Sequence, residues 1–223
     1  MLARMKRIDP PADNLKATFK FPYENTGSAN ALRVEKLSVG YGHPLLAPVT
    51  FSMTMGEKLL FTGFNGVGKS TLIKSILKKI PALGGTATFS PSAKVNYFDQ
   101  DLEWDDPSLT PLQMIQNMFP TMQPKTIRQK LARAGINAAN TMKPLHLLSG
   151  GEQTKVKLAI LELTPSNFLI MDEPTNHLDD ETKEGLKTAL QNFPGNLILV
   201  SHEQSFYEGW LDKILNVEKL SLK

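Results

Sequence analysis

The chain contains 223 residues, no cysteine and four histidines, and it carries a formal net charge of +3 at pH 7. The absence of cysteine excludes a disulfide framework and a thiolate metal site, and scattered histidines do not indicate a metal site either. Hydrophobic residues make up 41% of the sequence, which is enough for a sizeable core. Since no stretch approaches the roughly 18 consecutive apolar residues of a membrane span and no secretory signal is present, we expect a cytoplasmic protein without stable membrane insertion.

Residues 1–30 are predicted to lead into the folded domain. Five cations and two acids lie in residues 1–20, so this stretch holds the whole net charge and the remaining chain balances at zero. The pair Pro10-Pro11 ends a short basic helical piece, and the polar run 24–28 is typical of a loop. A basic arm of this kind can contact nucleic acid, and a solvated linker explains the same charges equally well.

Periodic apolar positions predict both strands and helices in the first two thirds of the chain. Residues 49–55 alternate and predict a half-buried strand, while residues 86–89 and 94–98 predict two short strands joined as a hairpin. Apolar positions at helical spacing in residues 111–134 predict a small helical lobe, which we place at about residues 105–165.

After the lobe, strands alternate with helices. Residues 168–171 and 197–200 are apolar runs typical of buried strands, and residues 181–191 between them have a helical pattern. This alternation predicts a parallel sheet and therefore an α/β fold.

Residues 63–70 read Gly-Phe-Asn-Gly-Val-Gly-Lys-Ser and match the phosphate-loop pattern at every fixed position. A short apolar strand at residues 59–61 precedes the loop and an amphipathic helix follows it, which is the context the motif requires. Backbone N–H groups of such a loop converge on phosphate oxygens, and the N-terminus of the helix contributes the positive end of its dipole. The motif predicts an ATP-binding set made of Gly63, Asn65, Gly66, Gly68, Lys69, Ser70 and Thr71.

The side chains at the end of this loop each have their own predicted contact with ATP or Mg²⁺, and a pair of acids later in the chain completes the predicted site. Lys69 supplies a positive charge for the β- and γ-phosphates, Ser70 ligates Mg²⁺, and Thr71 reaches the α-phosphate. The acids Asp172 and Glu173 follow a buried strand, at the sheet edge where open α/β sheets bind ligands. Beside a phosphate loop, this pair predicts that Asp172 holds Mg²⁺ and that Glu173 is the general base for an attacking water.

Residues 148–153 read Leu-Ser-Gly-Gly-Glu-Gln and begin another amphipathic helix. The first serine and the glutamate form an S-x-x-E capping box, and the two glycines leave helix N–H groups open to an anion. Together with the phosphate loop and the acid pair, this motif resembles the signature of ATP-binding-cassette proteins. The resemblance implies an α/β P-loop NTPase fold of that type, with a parallel core sheet, an antiparallel β subdomain and an inserted α-helical subdomain. It further implies that the γ-phosphate held by a second domain is contacted by Ser149, Gly150, Gly151 and Glu152.

The same resemblance implies roles for residues outside these motifs. Tyr41 corresponds to the aromatic residue that stacks on adenine, and Gln100 to the glutamine that senses Mg²⁺ and the attacking water. His202 corresponds to the switch histidine at the γ-phosphate, and Asp179 to the aspartate that meets the opposed domain. The implied catalytic residues are Glu173, His202 and Gln100, and the implied Mg²⁺ ligands are Ser70, Gln100 and Asp172.

Residues 173–179 read Glu-Pro-Thr-Asn-His-Leu-Asp and resemble the F subfamily of ATP-binding-cassette proteins. Transporter domains usually have serine and alanine where Asn176 and His177 stand. The first residues of the chain also resemble the end of the helical linker between the two cassettes of F-subfamily proteins. The resemblance therefore divides the chain into a remnant of a basic interdomain linker and lead-in at residues 1–30 and a C-terminal nucleotide-binding domain at residues 31–223.

The chain holds one phosphate loop and one signature, whereas F-subfamily proteins carry two cassettes. A complete site needs a second nucleotide-binding domain, either the tandem first cassette of a longer chain or another copy paired head to tail. We expect Mg²⁺-dependent ATP hydrolysis that is weak in the isolated domain.

The resemblance implies a translation factor of the F subfamily that acts on the ribosome and its rRNA, with antibiotic resistance by ribosome protection as one such role. Two alternatives stay open at this point. One is the ATPase subunit of a membrane transporter, and the other is a nucleotide-gated adaptor in which turnover is incidental.

Overall fold

A computed structural model describes residues 17–25 and 30–222 of the chain. Within these residues the chain forms eight strands: β1 (Asn30–Ser38), β2 (Val49–Thr54), β3 (Lys58–Thr62), β4 (Gly84–Phe89), β5 (Val95–Phe98), β6 (Phe168–Asp172), β7 (Asn196–Val200) and β8 (Lys213–Asn216). Three of them form a small antiparallel sheet in the order β2-β1-β4. The other five form a parallel sheet in the order β5-β6-β7-β3-β8, which confirms the predicted parallel core and antiparallel subdomain.

The same described ranges contain seven α-helices: α1 (Lys69–Ile76), α2 (Pro111–Met118), α3 (Pro124–Arg133), α4 (Ala138–Thr141), α5 (Gly150–Leu161), α6 (Asp180–Gln191) and α7 (Gln204–Tyr207). Helices α2 to α5 lie between β5 and β6, inside the predicted lobe, although the exact domain boundaries stay a prediction. None of the helices in the described part of the chain is long and apolar enough to cross a bilayer.

The central strands of the parallel sheet are buried on both faces. Every residue of β6 and β7 is buried, as expected for central strands of a parallel sheet covered on both sides. Leu169 and Met171 pack into an apolar cluster shared with the helical lobe, whereas Phe168 and Ile170 pack into a second cluster shared with α1 and the antiparallel sheet. Because successive strand residues point to opposite faces, this alternation fixes the lobe on one side of the sheet.

Local signals define the lobe helices. Thr110 caps α2 in a capping box with Gln113, and Pro111 occupies the first turn, where its missing N–H costs no helix hydrogen bond. Helix α3 ends just before Gly135, which has a φ of 83° that favours glycine. Both helices lie in residues 111–134, so the helical spacing predicted for this stretch is confirmed.

The predicted hairpin of residues 86–89 and 94–98 is wrong. Strand β4 pairs with β1 in the antiparallel sheet, while β5 pairs with β6 in the parallel sheet. The side chain of Asn167 directs this separation, because its Oδ1 accepts from Lys94 N at 2.8 Å and its Nδ2 donates to Ser92 O at 3.0 Å. These bonds hold the chain at the beginning of β6, so β5 continues beside β6 and does not turn back along β4.

Residues 17–25 contribute three side chains to the packed core. Ala17, Phe19 and Phe21 are buried against the lobe side of the sheet, and Thr18 N donates to Arg133 O at 2.8 Å. The sequence analysis placed these residues in a lead-in. The basic helical piece in residues 1–16 and most of the predicted loop at residues 24–28 lie outside the described residues.

Candidate active site

The phosphate loop joins β3 to α1 through glycines in conformations that other residues rarely adopt. The φ angles of Gly63, Gly66 and Gly68 are 139°, 80° and 112°. Gly68 is the N-cap of α1 and provides no side-chain cap, so the first N–H groups of this helix stay available to an anion. A Cβ atom on Gly63 would lie 3.1 Å from Glu218 N, which leaves little room for another residue there.

Residues from four separate segments line one cavity of about 460 Å³ above this loop. That volume falls in the range of small-molecule sites. The cavity collects most of the residues that the sequence analysis assigned to nucleotide: Tyr41, Asn65, Gly66, Gly68, Lys69, Ser70, Thr71, Gln100 and Glu173, with Leu45. Their assigned roles stay predictions, but their convergence in one cavity is a property of the fold.

Lys69 is held at the wall of the cavity by the loop itself. Its side chain is 6% exposed, and Nζ donates to Gly63 O at 2.8 Å and to Phe64 O at 3.2 Å. Nζ also lies 3.8 Å from Glu173 Oε1. A buried ammonium group is thereby oriented by two carbonyls and a carboxylate, in a site lined by backbone N–H groups.

Asp172 is the last residue of β6 and is fully buried. Neither of its carboxylate oxygens has a hydrogen-bond partner of good geometry among the described residues. Burial raises the pKa of Asp172 to about 6, and the Ser70 hydroxyl only partly opposes this rise. A buried carboxylate without a partner is unfavourable unless a cation or proton satisfies it, and oxygen ligands are the ones that Mg²⁺ prefers. Asp172 and Ser70 therefore fit a magnesium ion.

Glu173 is fixed between a strand end and a histidine. Its side chain is 4% exposed, its φ is 49°, and its backbone N–H donates to Val200 O at 3.0 Å. The Oε2 atom lies 3.0 Å from Nδ1 of His202, whose side chain is 52% exposed. A positive φ at a residue other than glycine is strained and is common at functional sites. Glu173 lines the cavity, and His202 lies directly beside its carboxylate.

The signature residues do not line this cavity. Ser149 caps α5, and its N–H and hydroxyl both donate to Glu152 Oε2, at 2.8 and 3.0 Å, which confirms the predicted capping box. The other oxygen of Glu152 accepts a hydrogen bond from the Asn140 side chain. Within one chain, this motif is therefore separate from the phosphate loop, as expected for a surface that meets a second domain.

Asp179 connects the signature helix to α6. Its Oδ1 accepts from Thr182 N at 2.8 Å and caps α6, and its Oδ2 lies 2.7 Å from Lys155 Nζ on α5. Burial raises the pKa of Asp179, but the hydrogen bonds from Lys155 and Thr182 outweigh burial and lower it to about 2. The sequence analysis assigned no role to Lys155, because a lysine on a helix is ordinary.

Comparison with known proteins identifies the family. A family model described as ABC transporter matches residues 46–176. This chain belongs to the ATP-binding-cassette family.

The relatives of this cassette include members of the F subfamily. It is 36% identical over 220 residues to the Bacillus subtilis ATP-binding protein YdiF, covering 96% of this chain and 34% of that protein. It is 33% identical over 211 residues to human ATP-binding cassette sub-family F member 3, covering 92% of this chain and 30% of that protein. Protein GCN20 of Saccharomyces cerevisiae is 29% identical over 225 residues, with 100% of this chain and 30% of that protein covered. The cassette thus spans about a third of the length of these relatives, and the predicted resemblance to the F subfamily is confirmed.

A solved structure shows the same fold. An ABC transporter ATP-binding protein from Pyrococcus furiosus superposes with a TM-score of 0.68 at 24% identity, covering 85% of this chain and 98% of that chain. This likeness confirms the predicted fold class of the cassette.

Contacts from two lysines to the neighbours of Gln100 were not predicted from the sequence. Lys74 on α1 lies 3.8 Å from Asp99 Oδ1 and 3.3 Å from Asp101 Oδ2, so it holds both neighbours of Gln100. Lys79 lies 3.9 Å from the other oxygen of Asp99. The alternation Asp-Gln-Asp in the sequence is a signal that could have indicated such a clamp.

The loop after Gln100 also contacts the signature helix of the cassette. Trp104 Nε1 donates to Gln153 Oε1 at 2.8 Å, and Gln153 Nε2 donates to Leu148 O at 3.1 Å. A hydrogen-bonded path therefore runs from the glutamine loop to the residue just before Ser149.

Proposed function

We propose that this cassette binds Mg·ATP and hydrolyses it to ADP and phosphate. The observation that carries the proposal is the placement of Lys69, Ser70 and Glu173 on one cavity, with the buried carboxylate of Asp172 beside Ser70. A phosphate cradle, a cation ligand and a second acid are the components that phosphoryl transfer requires. Belonging to the ATP-binding-cassette family supports the same reaction.

The chain contributes positioning and charge to this reaction. Ser70 and Asp172 would hold Mg²⁺ together with Gln100, and the ion would neutralise charge on the phosphates. The Glu173 carboxylate would accept a proton from the attacking water or orient that water, and His202 lies 3.0 Å from the carboxylate. Phosphoryl transfer to water needs little covalent catalysis by the protein. Positioning and charge neutralisation would therefore account for most of the expected rate acceleration.

The full site requires a second nucleotide-binding domain. The signature residues Ser149–Glu152 lie outside the cavity of their own chain, which supports a pairing in which they contact nucleotide held by the opposed domain. A tandem first cassette or a head-to-tail copy of this chain would provide it, and the second arrangement would create two equivalent sites. We therefore expect weak turnover in the isolated domain.

The wider role that we propose is that of a cytoplasmic F-subfamily translation factor. Similarity to sub-family F member 3 and to protein GCN20 supports this subfamily. Closure on ATP would stabilise binding to the ribosome and hydrolysis would release it, and ribosome protection against antibiotics is one form that this role could take.

The Glu173→Gln variant tests both the proposed ATP hydrolysis and the proposed role on the ribosome. It keeps the size of the side chain but removes the proton acceptor, so we expect turnover to fall by about 10²–10⁴ with ATP binding retained. Glu184→Gln, an exposed change on α6, is the matched control. The protein that carries this cassette should cosediment with ribosomes in Mg·ATP, most strongly as the Glu173→Gln form. Normal turnover in that variant contradicts the catalytic assignment, and failure to cosediment contradicts the ribosomal role.

The ATPase subunit of a membrane transporter is the second candidate. The family model that matches residues 46–176 is described as ABC transporter, which favours it. Copurification of the native protein with membranes and a membrane-spanning partner, without ribosomes, would establish this alternative.

A further inference from the structure

The helical lobe carries charge of one sign. Residues 107–151 contain no aspartate or glutamate and five cations: Lys125, Arg128, Lys130, Arg133 and Lys143. Residues 99–106, directly before them, contain five acids and no lysine or arginine. Surfaces of soluble proteins usually intersperse both signs, so this separation is unusual.

Three of these cations lie on one side of α3. Ile127 and Leu131 are fully buried and define the inner side of the helix. Lys125, Arg128 and Arg133 are exposed, and at 100° per residue they fall within an arc of about 140° on the opposite side. We call these three residues the basic face.

Within the part of the chain that the structure describes, the charge of the basic face is not neutralised by ion pairs. None of its three side chains forms an ion pair there. Arg133 interacts electrostatically with Glu162. The carboxyl group of Glu162 is buried, and burial raises the pKa of this group. Cations three residues apart on a helix repel each other by a few tenths of a kcal/mol, so Lys125 and Arg128 do not stabilise α3. Arg133 lies in the last turn of α3, where a cation is favourable, so folding stability explains Arg133 but not Lys125 and Arg128.

We propose that the basic face binds the phosphate backbone of RNA without reading its sequence. The side chains between its cations are Thr126, Gln129 and Ala132, which offer no aromatic ring for base stacking and no apolar surface for membrane insertion. Lysine and arginine without such neighbours suit phosphate contacts, which position a protein on nucleic acid. The choice of RNA as the polyanion rests on the ribosomal role proposed above.

The acidic stretch 99–106 gives this contact a direction. Among its acids, Asp101, Glu103, Asp105 and Asp106 are exposed, and Lys74 pairs with Asp101. The three other exposed acids would repel a polyanion that α3 attracts. The two charged regions would orient the cassette when it meets RNA.

A charge-neutral triple variant tests the inference. Lys125→Gln/Arg128→Gln/Arg133→Gln in the whole chain should weaken binding of a short fluorescent RNA duplex roughly tenfold at about 0.1 M salt. The slope of log affinity against log salt should fall by about two to three, because each lost phosphate contact removes about one unit. The matched control is Lys36→Gln/Lys78→Gln/Lys219→Gln, which removes the same charge from exposed positions elsewhere. It should change the slope much less.

The outcomes separate this inference from the function proposed above. An equal loss in the control, an unchanged slope in the triple variant, or tighter binding to phosphatidylglycerol vesicles than to RNA overturns the inference. The RNA and vesicle binding measurements are made without nucleotide, so they do not depend on ATPase activity. RNA binding through the basic face without ribosome cosedimentation supports the inference and contradicts the ribosomal role. Ribosome cosedimentation without RNA binding through the basic face contradicts the inference and supports the ribosomal role. Melting temperatures of both triple variants verify that each is folded. The single variant Arg128→Glu is a second test with a smaller change in charge, and it should also weaken RNA binding.

Discussion

The Nζ atom of Lys155 lies 2.7 Å from Oδ2 of Asp179, which ties the signature helix α5 to the beginning of α6. A second contact joins the same segments, because the carbonyl oxygen of His177 occupies the space beside Gly151. The stretch after Glu173 and the helix after Ser149 are therefore in direct contact within a cassette. In a pair of cassettes, Glu173 would act on the nucleotide of one site and Ser149 would contact the nucleotide of the other. We expect the contacts between these two segments to couple hydrolysis at one site to nucleotide binding at the other.

Lys155→Met is expected to free Asp179. Loss of the charged hydrogen bond should raise the pKa of Asp179 from about 2 towards its ordinary value of 3.8. A lowered folded pKa stabilises the fold above the ordinary pKa, and that contribution disappears as pH falls from about 4 to 2. The variant should lose much of this acid dependence. The measurement is an NMR titration of the Asp179 carboxyl carbon.

Lys213→Met is the matched control for this change. It removes another lysine from an ion pair, with Glu57 at 2.8 Å, away from the signature helix. The pKa of Asp179 should not move in this variant. An unshifted Asp179 pKa in Lys155→Met would show that the contact to Lys155 does not govern the carboxylate.

Short motifs of fixed spacing could be predicted from the sequence because their geometry is local. The phosphate loop, the capping box of Ser149 and the strand ending in Asp172 all depend on neighbours within a few residues. Strand β1 was not predicted, because Lys36 at φ 46° and a register shift between Val34 and Leu37 interrupt its alternation. A bulge of this kind removes the period-two signal.

Contacts between distant segments left no local signal. The pairing of β5 with β6 depends on Asn167, which lies 73 residues from Lys94. The fit of His177 against the signature glycines likewise joins motifs that the sequence shows only as separate. Such contacts emerge when the sheet order brings the segments together.

Alanine at the two signature glycines is expected to have unequal effects. A Cβ atom on Gly151 would lie 2.4 Å from the carbonyl oxygen of His177, a backbone atom that cannot move away easily. Gly151→Ala should therefore destabilise the fold by about 1–3 kcal/mol, as overpacking does. A Cβ atom on Gly150 would lie 3.2 Å from Cγ of the His177 ring, so Gly150→Ala should cost less. Urea unfolding of both variants measures the difference.

His177→Ala supplies the control for the glycine variants. Removing the ring should relieve Gly150→Ala in the double variant but should leave Gly151→Ala as unstable as before, because the backbone oxygen remains. Equal rescue of both glycine variants would contradict the assigned contacts.

Asp172→Asn is expected to stabilise the magnesium-free protein at neutral pH. The folded pKa of about 6 lies above the ordinary value of 3.8, so the fold binds a proton more tightly than the unfolded chain does. Stability of the wild type should therefore fall as pH rises from about 4 to 6. Asparagine removes this dependence, so the variant should be more stable by about 1–3 kcal/mol at pH 7 and nearly equal at pH 4. Urea unfolding in EDTA at both pH values makes the measurement.

The same variant should lose the stabilisation that Mg·ATP gives. Adding Mg·ATP should raise the melting temperature of the wild type more than that of Asp172→Asn, since a neutral amide is a weaker ligand for a hard cation. Parallel pH profiles for the two proteins, or an equal rise with Mg·ATP, would contradict the assignment of Asp172 to the metal.

Lys69→Ala is expected to weaken ATP binding while sparing AMP. The ammonium group, held by the carbonyls of Gly63 and Phe64, lies on the cavity wall where the motif places the β- and γ-phosphates. Loss of a charge-assisted contact should cost about 1.5–3 kcal/mol, or roughly 10- to 100-fold in ATP affinity. AMP lacks both phosphates, so its affinity should change little.

Lys78→Ala, at an exposed position after α1, is the control that removes a lysine without touching the cavity. Titrations with both nucleotides decide the matter: an equal loss for AMP would indicate a collapsed loop, and unchanged ATP affinity would refute the phosphate contact.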